Sequence, residues 1–241
     1  MTKLALIRHG QSEWNKANRF TGWVDVKLTE QGEAEAAKAG VLLKETGVEF
    51  SSAYTSVLKR AVKTLFLSLE QMDRLWLPVT KDWRLNERHY GGLTGLNKKE
   101  TAEKHGDDQV KIWRRSYDIP PPEMAVDAEH NPALDAQYSG LDVNDIPNTE
   151  SLKSTLDRVQ PYWEQEIAPR LNKGECLIIA AHGNSLRALV KLMFEVSNDD
   201  IVSVEIPTGN PLLLTLKEKT TMPVEARYLD QDRATDLPAL P

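Results

Sequence analysis

A single cysteine, Cys176, stands among 241 residues. That excludes an internal disulfide framework and suits a reducing compartment such as the cytoplasm. Long hydrophobic runs are missing too: the longest are Cys176–Ala181 and Leu212–Leu216, far short of the roughly 20 residues that span a bilayer. The opening MTKLALIRHG has too brief an apolar run for a signal peptide. An excess of positive charge is also absent. With 30 Lys and Arg against 36 Asp and Glu, the net charge is −6, which argues against nucleic acid or an anionic membrane as the main partner. HExxH, CxxC and acidic metal loops do not occur, and the 5 histidines are scattered, so no metal is expected. There is no GxxxxGK[ST] phosphate loop, and Ser12 and Ser185 lack the context of a nucleophile elbow. Internal repeats and low-complexity tracts are wanting. What remains is an intracellular enzyme-sized chain, most simply one domain over residues 1–229 with a mobile tail from 230 to 241.

Within it, strand-like and helix-like runs alternate. Lys3–Ile7 reads as a buried strand. Thr29 is placed to cap a helix running to Leu43, with Gly47 to end it. Val48–Tyr54 and Pro78–Leu85 read as strands around a helix over Val57–Met72 that Ser56 could cap. Asn97 has the spacing of an N-cap with Glu100 behind it, and a further short helix carries Ile112 to Arg115. Periodicity then stops from about 118 to 148, where prolines and acids suggest a long irregular excursion. A helix from Thr149 or Ser151 to Leu171 is expected to kink at Pro161 and Pro169. Cys176–Ala181 is a strong buried strand, followed by the helix Leu186–Phe194. Leu212–Leu216 and Val224–Tyr228 read as late strands. This order predicts an α/β fold with a mainly parallel sheet covered on both faces.

Two of these strands end alike. ALIRHGQS (5–12) and LIIAAHGNS (177–185) each place His-Gly at the carboxyl end of an apolar run. Ligands of open α/β sheets bind just beyond strand carboxyl ends. If the two strands are neighbours, His9 and His182 face one crevice, and the glycines let backbone approach an anion. A His-Gly pair is more often only a turn, and His105-Gly106 reads as a helix end of that kind; His130 reads as solvated. Around the two histidines, Arg8, Arg60, Arg88, Lys98, Arg114 and Arg115 could gather at one end of the sheet. Singly, most would be surface charges; collectively they suit phosphate. The nucleophile on offer is then an imidazole.

With LIRHGQSEWN, RFTGWVDVKLTEQG, YTSVLKRAVKT, NERHYGGLTGLNK, WRRSYD and AAHGNSLRAL in view, the chain resembles the cofactor-dependent phosphoglycerate mutases of the histidine phosphatase superfamily. The resemblance implies a three-layer α/β/α sandwich with a mostly parallel central sheet. It implies that His9 carries a phosphoryl group, that Glu87 gives and takes a proton, and that His182 stabilises the group in transfer. Arg8, Asn15, Arg60 and the backbone of Gly183 and Asn184 would complete the phosphate pocket. Thr21, Gly22, Arg88, Tyr90, Lys98, Arg114 and Arg115 would hold the rest of the substrate. It further implies small-molecule phosphoglycerates as substrates, 2,3-bisphosphoglycerate as phosphoryl primer, and a homodimer or homotetramer. Two departures are visible: Gln11 stands where a glutamate is common, and the tail ends RATDLPALP where relatives carry lysine or alanine. A phosphatase on the same scaffold and a non-catalytic phosphoprotein-binding module are the competing readings. A bisphosphate needs both ends held, whereas a phosphatase needs one end and water. Binding alone would need no histidine nucleophile.

Overall fold

The computed structural model describes all 241 residues. Its centre is one six-stranded sheet in the order β3-β2-β4-β1-β5-β6. The strands are β1 (Lys3–Arg8), β2 (Ser52–Thr55), β3 (Val79–Lys81), β4 (Leu177–Ala181), β5 (Leu212–Leu216) and β6 (Pro223–Tyr228). β1, β4, β2 and β3 run parallel, while β5 and β6 pair antiparallel at one side. The mostly parallel α/β sandwich expected from the sequence is what the chain forms.

Alternation along the central strands builds the layers. Leu4 and Leu6 of β1 face one way, with Leu177 and Ile179 of β4, into a core closed by α6 (Leu152–Tyr162) and α8 (Gly183–Met193). Ala5 and Ile7, with Ile178 and Ala180, face α2 (Glu30–Glu45) and α3 (Lys59–Gln71) on the other side. Strands buried on both faces need no polar positions, which is why they read as continuous apolar runs. Each leucine fully removed from water here contributes about 2 kcal/mol.

Local chemistry sets the helix ends. Thr29 caps α2 by accepting from Gly32 N–H, and Asn97 caps α4 (Lys98–His105) through Lys99 N–H. Gly106, at φ +87°, ends α4 and leads into α5 (Asp107–Arg115). Ser12 caps the short α1 (Glu13–Lys16).

Several boundaries differ from the sequence reading. The second strand begins at Ser52 rather than Val48, and the third ends at Lys81. There Asp82 turns the chain into a 3₁₀ turn by accepting from Arg84 N–H. α3 starts at Lys59 because the Ser56 hydroxyl serves Leu58 N–H and His182 instead of starting a helix. The single helix expected to Leu171 becomes α6, a π turn over Trp163–Ile167 and α7 (Ala168–Asn172). Pro169 has no N–H for the ladder, and its ring displaces the carbonyl one turn back, so the helix widens before it. The last helix starts three residues early, at Gly183, with His182 as its N-cap.

The excursion contains only 3₁₀ turns, at Pro132–Leu134, Ala136–Tyr138 and Val143–Asp145. It packs over the loop after Leu85: Tyr138 is buried against Trp23, and its hydroxyl accepts from Asn86 Nδ2 at 3.0 Å. Residues 230–233 lie against α2 and the turn before β5. Asp230 exchanges two hydrogen bonds with Asn210, and Arg233 donates to Thr208 O at 2.7 Å. No helix is long and apolar enough to cross a membrane.

Candidate active site

The parallel register of β1 and β4 sets Arg8 opposite Ala181, and His9 N–H donates to Ala181 O at 3.0 Å. The next residue of each strand is therefore a histidine at the same level. Their rings lie 5.0 Å apart at 63°. Nδ1 of His9 is 2.7 Å from Gly10 O; a carbonyl only accepts, so Nδ1 carries the proton. The lone pair is left on Nε2, where Arg60 Nε donates at 3.2 Å. Burial, then the charges of Arg60 and Arg8, hold the imidazole well below its usual pKa. His9 is thus a neutral base with a directed Nε2.

Arg60 is itself fixed by acceptors on the 22–24 turn, giving Nη1 to Val24 O at 2.8 Å and Nη2 to Gly22 O at 2.7 Å. Burial pulls its pKa down to about 10, so it stays charged at neutral pH. Gly22, at φ +54°, supplies that carbonyl and does not line the pocket. His182 lies behind His9, fully buried, with Nε2 2.7 Å from Ser56 Oγ; burial, then Arg60 and His9, lower its pKa well below normal.

At the start of α8 the chain passes between Arg8 and Glu87. A Cβ on Gly183 would stand 3.5 Å from the Arg8 guanidinium carbon and 3.6 Å from Glu87 Oε2. Glu87 reaches the pocket from the loop after Leu85, its Oε1 accepting from Arg88 N–H at 2.8 Å and Asn184 N–H at 3.1 Å. Asn184 Nδ2 donates to the Tyr90 hydroxyl, and Arg187 Nη1 donates to Asn184 Oδ1 at 2.9 Å.

These groups surround a cavity of about 180 Å³ lined by Arg8, His9, Asn15, Arg19, Thr21, Arg60, Glu87, Tyr90, Lys98, Arg114, Arg115, Gly183, Asn184, Arg187, Glu205 and Ile206. Twelve residues singled out in the sequence meet there. Arg88 does not: it is fully buried in the wall over the Tyr90 ring, and its Nη2 donates to Arg114 O at 3.0 Å. Arg19, Arg187, Glu205 and Ile206 were not anticipated. Arg187 hides inside the apolar period of α8, its only sequence signal being its position three after Asn184. Ile206 O accepts from Arg8 Nη1 at 2.8 Å.

Seven cations thus meet two carboxylates in this cavity, and one of those, Glu205, is paired with Arg115. The cations disturb one another. Burial, then Arg114 and Arg8, lower the Lys98 pKa. Burial alone would raise the pKa of the Tyr90 hydroxyl, but Arg88 and Lys98 bring it below normal. Buried donors on Arg8 (Nε), Arg88 (Nε, Nη1) and Arg187 (Nε) find no partner in the chain, nor does His182 Nδ1. Buried guanidinium N–H groups rarely go unpaired; those of Arg8 and Arg187, which line the cavity, match an anion with many oxygens. No group of three His, Cys, Asp or Glu side chains could hold a metal ion.

Comparison with known proteins agrees with this chemistry. Residues 4–134 match the profile of the histidine phosphatase superfamily (branch 1). The chain is 61% identical over its whole length to the 2,3-bisphosphoglycerate-dependent phosphoglycerate mutase of Maricaulis maris, covering 99% of that protein. It is 60% identical over 91% of its length to mutase 1 of that name from Lactobacillus johnsonii, covering 95% of it. In fold it resembles the α-ribazole phosphatase of Shigella flexneri, with TM-score 0.67 at 20% identity over 99% of this chain and 100% of that one. A mycobacterial glucosyl-3-phosphoglycerate phosphatase gives TM-score 0.66 at 23% identity over 89% of this chain and 93% of the other.

Proposed function

The chain belongs to the 2,3-bisphosphoglycerate-dependent phosphoglycerate mutases of the histidine phosphatase superfamily, and we propose from this premise how it interconverts 3-phosphoglycerate and 2-phosphoglycerate. The observation that carries the reading is a neutral His9 with Nε2 free of a proton, set at one end of a seven-cation cavity. Such a nitrogen forms a bond to phosphorus as the bond from phosphorus to the substrate oxygen breaks, and the histidine holds the group between two transfers. Arg60 passes its N–H from Nε2 to a phosphoryl oxygen as the nitrogen is consumed, and Arg8 offers its unpartnered Nε. The loose transition state asks chiefly for such fixed positive charge.

The unpaired guanidinium donors and the outer cations Lys98, Arg114 and Arg115 fit a doubly phosphorylated three-carbon acid. When bound, 2,3-bisphosphoglycerate supplies the phosphoryl group that primes His9. Phosphorylated His9 gives its group to the free hydroxyl of the monophosphate, and His9 then accepts the group from the other carbon, so the phosphate has moved. Glu87, oriented by Arg88 and Asn184 N–H, takes the proton of the attacking hydroxyl and returns it to the leaving oxygen. The Arg60 brace on Gly22 and Val24 and the buried Tyr138 keep the rear of the site closed. We assign to this packing the protection of phosphohistidine from hydrolysis. The reaction is a step of glycolysis and gluconeogenesis, and we assign the enzyme to the cytoplasm and to a homodimeric or homotetrameric state.

Phosphorus NMR with 3-phosphoglycerate and a trace of 2,3-bisphosphoglycerate tests the reading. The 2-phosphoglycerate signal is expected to grow to a fixed ratio, to depend on the trace, and to vanish in His9→Ala. Steady accumulation of inorganic phosphate instead would make the protein a phosphatase.

A further inference from the structure

Glu87 is carried by a stretch of backbone that belongs to no strand and, beyond Leu85, to no helix. Lacking a ladder, its peptide groups need other partners. Two side chains outside the cavity supply them. Arg158 of α6 donates Nη1 to Arg84 O at 2.6 Å and Nη2 to Asn86 O at 3.1 Å and Glu87 O at 2.9 Å. Its Nε and Nη2 also hold the two oxygens of Glu150 at 2.7 and 2.9 Å. Glu150 in turn accepts from His89 N–H at 2.7 Å and donates its own N–H to His89 O at 2.9 Å. The two side chains are only 9% and 3% exposed, and neither lines the cavity.

We propose that Arg158, oriented by Glu150, is a positioning residue for Glu87, fixing the peptides on both sides of it so that the carboxylate meets the substrate hydroxyl. The inference rests on the reading of Glu87 as the proton carrier. A guanidinium suits the task because its planar fork serves three carbonyls and a carboxylate at once, whereas an ammonium directs its donors from a single point. A buried ion pair is a weak source of net stability. The precise hold on Arg84, Asn86, Glu87 and His89 is what the site gains from this one. Trp23 adds to it, donating Nε1 to the same Glu87 carbonyl at 2.7 Å.

The test is a double-mutant cycle on the full-length enzyme with 3-phosphoglycerate and 2,3-bisphosphoglycerate, melting curves being taken alongside. Arg158→Met is expected to lower kcat by about 30-fold or more, the scale of a misplaced reacting group. KM should stay within about twofold, since the phosphate-binding cations are untouched. In the Glu87→Gln background, timed by single turnover, the same substitution should cost less than about threefold, because displacing a group already removed changes nothing. Equal losses in both backgrounds, or a loss carried by KM in a folded enzyme, would overturn the proposal. Arg158→Lys keeps a cation opposite Glu150 and carries the same cycle if the methionine variant does not fold. A Glu87→Gln enzyme as fast as the parent would instead overturn the proton-carrier reading itself.

Discussion

His9, His182 and His89 are all buried and all held neutral. Burial is the main cause in each, and for His89 it brings the pKa down to about 4. In the unfolded chain the same imidazoles titrate near about 6.5. Below that pH the unfolded state takes up protons that the folded state refuses, so stability falls as the pH drops through the window. The slope reaches about 1.4 kcal/mol per pH unit for each histidine, and for His89 it persists to about pH 4. Urea midpoints at pH 7, 6 and 5 should therefore decline before carboxylates begin to titrate. His89→Asn, whose amide oxygen can still accept from Gly91 N–H in place of Nδ1, should decline less. A flat midpoint across that range would show that these imidazoles titrate in the fold as they do in the unfolded chain. At this scale His9 and His182 were legible because an apolar strand ending in His-Gly is a local pattern that recurs. Ser56, Arg158 and Arg187 were not: Ser56 and Arg158 act on partners 126 and 71 residues away, as in the Ser56 to His182 bond of 2.7 Å, and Arg187 lies hidden in the apolar period of its helix.

Gly32 shows how two elements are locked together. It lies in the first turn of α2, where alanine would favour the helix by about 1 kcal/mol over glycine. In the fold, however, a Cβ there would lie 2.0 Å from Gln11 O, and one on Gly10 would lie 2.1 Å from Gly32 O. The start of α2 and the turn after His9 thus touch backbone to backbone. Gly32→Ala is expected to destabilise the protein by about 2 kcal/mol or more, as overpacking does, and to lower the mutase rate by moving the His9 turn. Urea titration and kcat measure the two effects; a more stable variant would mean that propensity prevails over packing. The helix itself was readable from Thr29 and the alanines behind it, because caps and periodicity are local signals. The contact that forbids alanine was not. A break at Pro169 was legible as a kink, but its form, a π turn over Trp163–Ile167, was not. The strand limits at Ser52 and Lys81 were equally hidden, since a strand ends where its neighbour stops pairing, as β2 does with β3 and β4.

Across the whole molecule, a chain of net charge −6 gathers seven cations in one cavity. The strand order makes this possible by placing β4 and β1 side by side at the middle of the sheet, so that loops from both flanks converge on their ends. Concentrating like charges costs stability, and the lowered pKa values of Arg60, Arg187 and Lys98, each due first to burial and in part to neighbouring cations, mark where. A polyanionic ligand should offset that cost in proportion to its occupancy. At a hundred times its Kd, 2,3-bisphosphoglycerate would add about 2.7 kcal/mol, raising Tm by roughly 5–10 °C for a domain of this size. Lys98→Met keeps the side-chain stem while removing one of the repelling charges, so the ligand-free variant should melt at or above the parent temperature. Its response to 2,3-bisphosphoglycerate should shrink, because Lys98 lies on the outer wall with Arg114 and Arg115. Scanning calorimetry with and without ligand decides the matter. A variant that melts lower alone yet gains as much from the ligand would show that Lys98 packs the wall rather than binds the anion, and stability and binding would not be opposed at this site.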